Sequence, residues 1–150
     1  MAELLVSVEG QRYALPLERV RRAVCAVEVT PYPAASDSFL GVIDVGGDVL
    51  PVVHLRRRLG LCSRPPDVGD CMVIAWTSEA SLVLPVDAVL GITGELEAAA
   101  DVEITPAGAE CASRVLSDAD GLVFMLDVER IVGHEELTSL HGALAEAQCR

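Results

Sequence analysis

Few of the 150 residues are of a type that does chemistry, and their spacing does not bring those few together. The histidines are His54, His134 and His141. None stands in an HxH, HExxH or Cys–His spacing, the patterns that place metal ligands on one face of an element. His134 and His141 lie seven apart on a predicted tail helix, where solvated histidines are the ordinary outcome. The cysteines are Cys25, Cys62, Cys71, Cys111 and Cys149, an odd number with no CxxC pair. A disulfide scaffold or zinc knuckle is poorly supported, and the expectation is small buried hydrophobes plus an exposed thiol at Cys149. The carboxylate pairs Glu95 with Glu97 and Asp118 with Asp120 fall in polar stretches. A catalytic dyad needs burial to separate its two pKa values, so these read as solvated faces. There is no GxSxG elbow, P-loop or GxGxxG, and Gly46-Gly47 reads as a hairpin turn. The expectation is a chain without catalytic, metal-binding or cofactor-binding residues.

Arginine remains. All the basic residues are arginines, and eleven of them against twenty-three acids give a net charge of -12. Through Cys62, seven arginines face seven acids; from Ser63 onward, four face sixteen. The whole imbalance therefore sits in the second half. A nucleic-acid binder releases counterions with a positive surface, so nucleic acid is not an expected partner. Arg19, Arg21 and Arg22 form one cluster and Arg56, Arg57 and Arg58 another, and arginine is enriched at protein interfaces. The segment 30–40, TPYPAASDSFL, is partly preorganised by Pro31 and Pro33 and reads as one wall of a groove. No apolar run approaches the roughly 18 residues of a membrane span. The start, MAELLVSVEG, carries an acid and no basic region, so no signal peptide or membrane insertion is expected and the expected compartment is the cytoplasm.

The elements that must position these residues are mostly strands. Leu4, Val6 and Val8 alternate, as do Tyr13, Leu15 and Leu17 across the turn at Glu9-Gly10. Met72, Ile74 and Trp76, then Leu82, Leu84 and Val86, then Leu122, Phe124 and Leu126 repeat the pattern. Period-two apolar spacing predicts strands packed on one face. Short helical turns are predicted at 55–59 and 127–132, and one longer helix at about 134–147, where Leu137, Leu140 and Leu144 form a stripe.

An internal repeat underlies the strands. Leu15-Pro16-Leu17-Glu18-Arg19-Val20 recurs as Leu84-Pro85-Val86-Asp87-Ala88-Val89. Val49 to Leu55 recurs more weakly as Leu122 to Val128. This predicts two similar β-subdomains, with units of about 1–62 and 70–133 meeting in the Pro- and Asp-rich segment LCSRPPDVGD. The acids Glu18, Asp87 and Asp127 are expected to cap the turns that follow them.

Three segments then resemble the CheW-like domain family: YALPLERV at Tyr13 to Val20, VTPYP at Val29 to Pro33, and GVIDVGGDVLPVVHLRRRLGL at Gly41 to Leu61. VLPVDAVLGI at Val83 to Ile92 and LVFMLDVERIV at Leu122 to Val132 extend the resemblance over nearly the whole chain. It implies a single all-β domain with short helices, two SH3-like five-stranded barrels around a shared core, and a C-terminal helix. It also implies a non-catalytic adaptor of a bacterial chemosensory array, without cofactor. The implied partners are the chemoreceptor cytoplasmic tip, the regulatory domain of a CheA-type histidine kinase, and other CheW-like proteins.

Three positions depart from the family pattern. Gly46 stands where an arginine is usual, Arg22 where a glutamate is usual, and His54 where an aspartate is usual. Losing an arginine removes a planar bidentate donor, and reversing a charge can abolish one partner while admitting another. The expectation is an adaptor linking receptor and kinase, with Val20, Arg22, Gly41, Gly46 and His54 as the partner-binding positions, whose departures leave room for the loss of one of the two usual contacts. The alternative is a small-ligand-binding β-barrel or a cryptic enzyme using His54.

Overall fold

The computed structural model describes residues 2–25, 28–31, 39–62, 64, 67, 69–78, 80–100 and 112–131. The predicted tail helix at 134–147 and most of the predicted groove wall at 30–40 lie outside them. Eleven strands fill most of the described chain: β1 (Glu3–Val8), β2 (Gln11–Pro16), β3 (Val20–Cys25), β4 (Phe39–Val45), β5 (Asp48–Val53), β6 (Cys71–Trp76), β7 (Ser81–Val86), β8 (Ala88–Thr93), β9 (Glu97–Ala100), β10 (Ala112–Asp118) and β11 (Gly121–Leu126). A 3-10 turn, Leu17–Arg19, links β2 to β3, and one-turn helices α1 (Leu55–Arg58) and α2 (Val128–Ile131) follow β5 and β11.

The strands form two sheets. One is six-stranded in the order β8-β1-β2-β11-β10-β9, and the other is five-stranded in the order β3-β6-β7-β5-β4. The sixth strand of the first sheet is β9, which pairs with β10 at the edge.

The repeat does not divide the chain into one sheet per unit. Its first motif is a strand that leaves one sheet and enters the other. In the first copy the chain passes from β2 to β3, and in the second from β7 back to β8. Its second motif is a strand ending in a helical turn, β5 into α1 and β11 into α2. Parallel pairing then joins one motif of each kind across the two units. β2 pairs with β11 at Tyr13 and Phe124, and β7 pairs with β5 at Val83 and Val52. The two units are interleaved.

The shared core lies where the sheets meet. It takes Leu4, Val6 and Val8 from β1, Tyr13 and Leu15 from β2, Val53 from β5, Val73 and Ala75 from β6, Leu82, Leu84 and Val86 from β7, and Ile131 from α2. Two smaller clusters fill the outer faces: Ile43, Val52, Met72, Ile74 and Val83 in the five-stranded sheet, and Ala14, Leu116 and Val123 in the other. β6 and β7 are thus covered on both sides, which is why they read as near-continuous apolar runs. Leu122 belongs to the expected β11 face but stands at the strand's start and is 55% exposed.

Candidate partner-binding surface

His54 ends β5 and caps α1. Its Nδ1 accepts from the Arg57 amide at 3.4 Å, satisfying one of the amides that a helix start leaves without a partner. Burial of the ring lowers its pKa from the ordinary histidine value, and the neighbouring Arg57 charge acts in the same direction. Asp127 does the same work for α2, accepting from the Glu129 amide at 3.0 Å. Glu18 does not: it lies inside the 3-10 turn, which has no side-chain cap.

Asp87 is not a cap either, because a strand rather than a helix follows it. It is the centre of an ion cluster that joins the sheets. The β1–β2 turn places Glu9 at φ 53, and from there its amide donates to Asp87 Oδ2 at 2.9 Å. Arg56 of α1 reaches Asp87 at 2.7 Å and also pairs with the Glu9 carboxylate. Arg64 donates to Asp70 at 2.7 Å and to Asp87 at 2.9 Å. Burial would raise the Asp87 carboxyl, but the Glu9 amide and the two arginines hold it below its ordinary value. Burial likewise opposes the Asp70 carboxyl, and Arg64 outweighs it. His54 shares this pocket, whose cavity of about 20 Å³ is the size of one water. This cavity gives no support to the small-ligand or enzymatic reading of His54.

A second latch closes the other end of the interface. Arg19 lies over the Trp76 ring at 4.6 Å and pairs with Glu129 at 2.9 Å. Trp76 Nε1 donates to the Glu18 carbonyl at 2.9 Å, and Glu129 also accepts from Ser78 at 2.8 Å. Arg12 forms a two-pronged pair with Asp118, both contacts at 2.7 Å, between β2 and the end of β10. Arg58 Nε donates to the Ile131 carbonyl at 2.6 Å. The arginine clusters are thus partly spent inside the molecule.

The expected partner-binding residues do not form one site. Val20 opens β3 and packs against the shared core. Arg22 is exposed on the same edge strand, opposite Ile74, beyond a bulge that separates it from Val20. Gly41 is buried at φ 151, where a Cβ would stand 2.2 Å from the Thr30 carbonyl oxygen, so its part is to let the segment at Thr30 bridge to β4. Gly46 occupies the exposed β4–β5 turn with nothing near it. His54 lies in the small pocket it shares with Arg56, Arg64, Asp70 and Asp87.

One surface escaped the sequence reading. Leu90 and Ile92 of β8 are 51% and 65% exposed. β8 is the edge of the six-stranded sheet, and its pairing with β1 skips from Val89 to Gly91. Leu90 is the unpaired residue of that bulge. An apolar edge strand is a ready template for another protein. The alternation of Leu90 and Ile92 was a visible signal, but only the edge position leaves them uncovered.

Two interleaved sheets, tied across their meeting line by arginines and leaving an apolar edge strand at β8, make up the described all-β fold. The CheW-like domain model matches residues 3–136, and the chain belongs to that family of chemotaxis coupling adaptors. The chain is 27% identical over 140 residues to the Chemotaxis protein CheW of Thermotoga maritima, covering 93% of this chain and 91% of that one. It is 34% identical over 85 residues to the Chemotaxis protein CheW of Rhizobium meliloti, covering 57% of this chain and 55% of that one. In fold it is similar to the scaffolding protein TtCheW of Thermoanaerobacter tengcongensis, with a TM-score of 0.72 at 21% identity over 85% of this chain and 88% of that one. The two-barrel expectation is borne out at the level of architecture.

Proposed function

We propose that this chain couples chemoreceptor cytoplasmic tips to the regulatory domain of a CheA-type histidine kinase, acting in the cytoplasm without catalysis. The observation that carries the reading is the family match across residues 3–136. Two of the sheet edges, β8 and β3, agree with it, since an adaptor must hold two proteins at once. In this reading the apolar β8 edge, with Leu90 and Ile92, takes the kinase's homologous barrel. The β3 edge, with Arg22 exposed, takes the receptor's helical hairpin. No helix among the described residues is long and apolar enough to cross a membrane.

Two titrations of the purified chain test this, one with the kinase regulatory domain and one with the receptor's cytoplasmic hairpin. Saturable binding to both is the expected result. Binding to the receptor hairpin alone would mean that the kinase contact is the one lost, and binding to neither overturns the reading.

A further inference from the structure

Cys25 closes β3 and Cys71 opens β6, and the antiparallel register sets them directly opposite each other. Opposed residues of an antiparallel pair point to one face, with Cα atoms about 4.5 or 5.5 Å apart. Both separations fall within the ~4.4–6.8 Å that a disulfide spans. Their sulfurs are 2.7 Å apart, and both thiols are free. Cys25 is exposed and Cys71 half-buried, against the expectation that both are small buried hydrophobes. Both stand at strand ends, where Cys71 still packs against the margin of the core and Cys25 is left exposed.

We propose that Cys25 and Cys71 are a reversible redox pair, closed into a cross-strand disulfide by a low-molecular-weight disulfide. The exposed Cys25 is the sulfur an oxidant reaches first. As thiolate, after giving its proton to solvent, it attacks one sulfur of oxidised glutathione. A mixed disulfide forms and one glutathione thiolate leaves. Cys71 then loses its proton and attacks the Cys25 sulfur, and the second glutathione thiolate leaves. The protein gives up two electrons and two protons, and two molecules of reduced glutathione result. The hydrogen bond to Cys25 and burial raise the Cys71 thiol above its ordinary range, which suits a resolving sulfur that reacts second. The bond would join positions 46 apart in the chain and tie the edge strand β3 to β6, its only sheet neighbour among the described residues. It would therefore hold in place the strand that carries Arg22.

The test uses the chain with Cys62→Ser, Cys111→Ser and Cys149→Ser, leaving only the pair. After treatment with oxidised glutathione, both thiols should be lost to a thiol reagent, with no glutathione retained by mass. Reduced glutathione should restore them. Adding Cys25→Ser should leave no disulfide able to close. Hydrogen exchange at the β3 amides should slow in the oxidised form. Peptide mapping of the oxidised wild-type chain should show the same 25–71 link, so the result does not hang on the folding of the variant. Two thiols that stay titratable, or a glutathione adduct that persists, would overturn the proposal. A disulfide that reduced glutathione does not reopen would overturn its reversibility.

Discussion

At the scale of single residues, His54 shows how one substitution can keep a local task. A helix start needs an acceptor at its cap, and a neutral imidazole Nδ1 supplies one as a carboxylate would. The acceptor is lost when Nδ1 takes a proton. Because the folded pKa lies below the ordinary 6.5, the unfolded chain binds that proton first. The stabilisation is therefore whole above about pH 6.5 and declines as the pH falls through the lower folded value. In His54→Asp this decline should disappear from urea-unfolding midpoints taken across that range, and His54→Ala should lose about 0.5–1 kcal/mol at neutral pH. The two glycines singled out in the sequence separate just as clearly. Gly41→Ala drives a Cβ to 2.2 Å from a backbone oxygen at φ 151, and should cost at least about 1–3 kcal/mol in thermal or urea unfolding. Gly46→Arg, which restores the side chain usual in the family, meets open space at φ 61 and should fold at a cost of about 1–2 kcal/mol. The helical turn after His54 was legible in the chain, but its cap was not, because capping was expected only of the acids Glu18, Asp87 and Asp127. Nor was the task of Gly41, because the oxygen it must avoid belongs to Thr30 of another segment.

At the scale of elements, the alternating strands were legible and their surroundings were not. Period-two spacing placed β1 and β7 correctly, but whether a strand lies at an edge depends on partners far away in sequence. β8 reads like any other amphipathic strand until β1 is found on one side of it and no strand, among the described residues, on the other. Charging it should leave folding nearly untouched: Leu90→Lys and Ile92→Lys should each shift stability by no more than about 0.5 kcal/mol. In the kinase titration the same changes should weaken binding by about tenfold or more, the scale of a hot-spot residue. An unchanged affinity would place the kinase contact elsewhere. The tie between β2 and β10 makes a prediction in acid. Arg12 holds the Asp118 carboxyl at about 2, against an ordinary 3.8. Its contribution is thus whole above about 3.8 and is lost as the pH falls toward 2. Asp118→Asn should remove that part of the acid dependence, which a series of melts from pH 5 to 2 would show.

At the scale of the whole molecule, the charge asymmetry and the repeat turn out to be one arrangement. The first half of the chain is neutral and the second carries the entire excess of acid. Interleaving brings those halves into contact, and arginines of the first close on acids of the second: Arg12 on Asp118, Arg19 on Glu129, Arg56 on Asp87. The repeat was legible in the chain, but its consequence was not, because repeats ordinarily fold as neighbours rather than through one another. Here the five-stranded sheet needs β6 and β7 from the second half between β3 and β5 from the first. The six-stranded sheet needs β1 and β2 from the first half between β8 and β11 from the second. Neither half can complete a sheet or cover the shared core alone. Cutting the chain within LCSRPPDVGD should therefore yield two fragments that are each unfolded by circular dichroism and amide dispersion. Mixed together, they should regain the sheet signal and a cooperative melt in a one-to-one complex. If fragment 1–64 or 65–150 folded by itself, the two repeat units would be independent domains and the arginine ties only a seam between them. If both stayed unfolded when mixed, the covalent link would be contributing more to the fold than the pairing of β2 with β11 and β7 with β5.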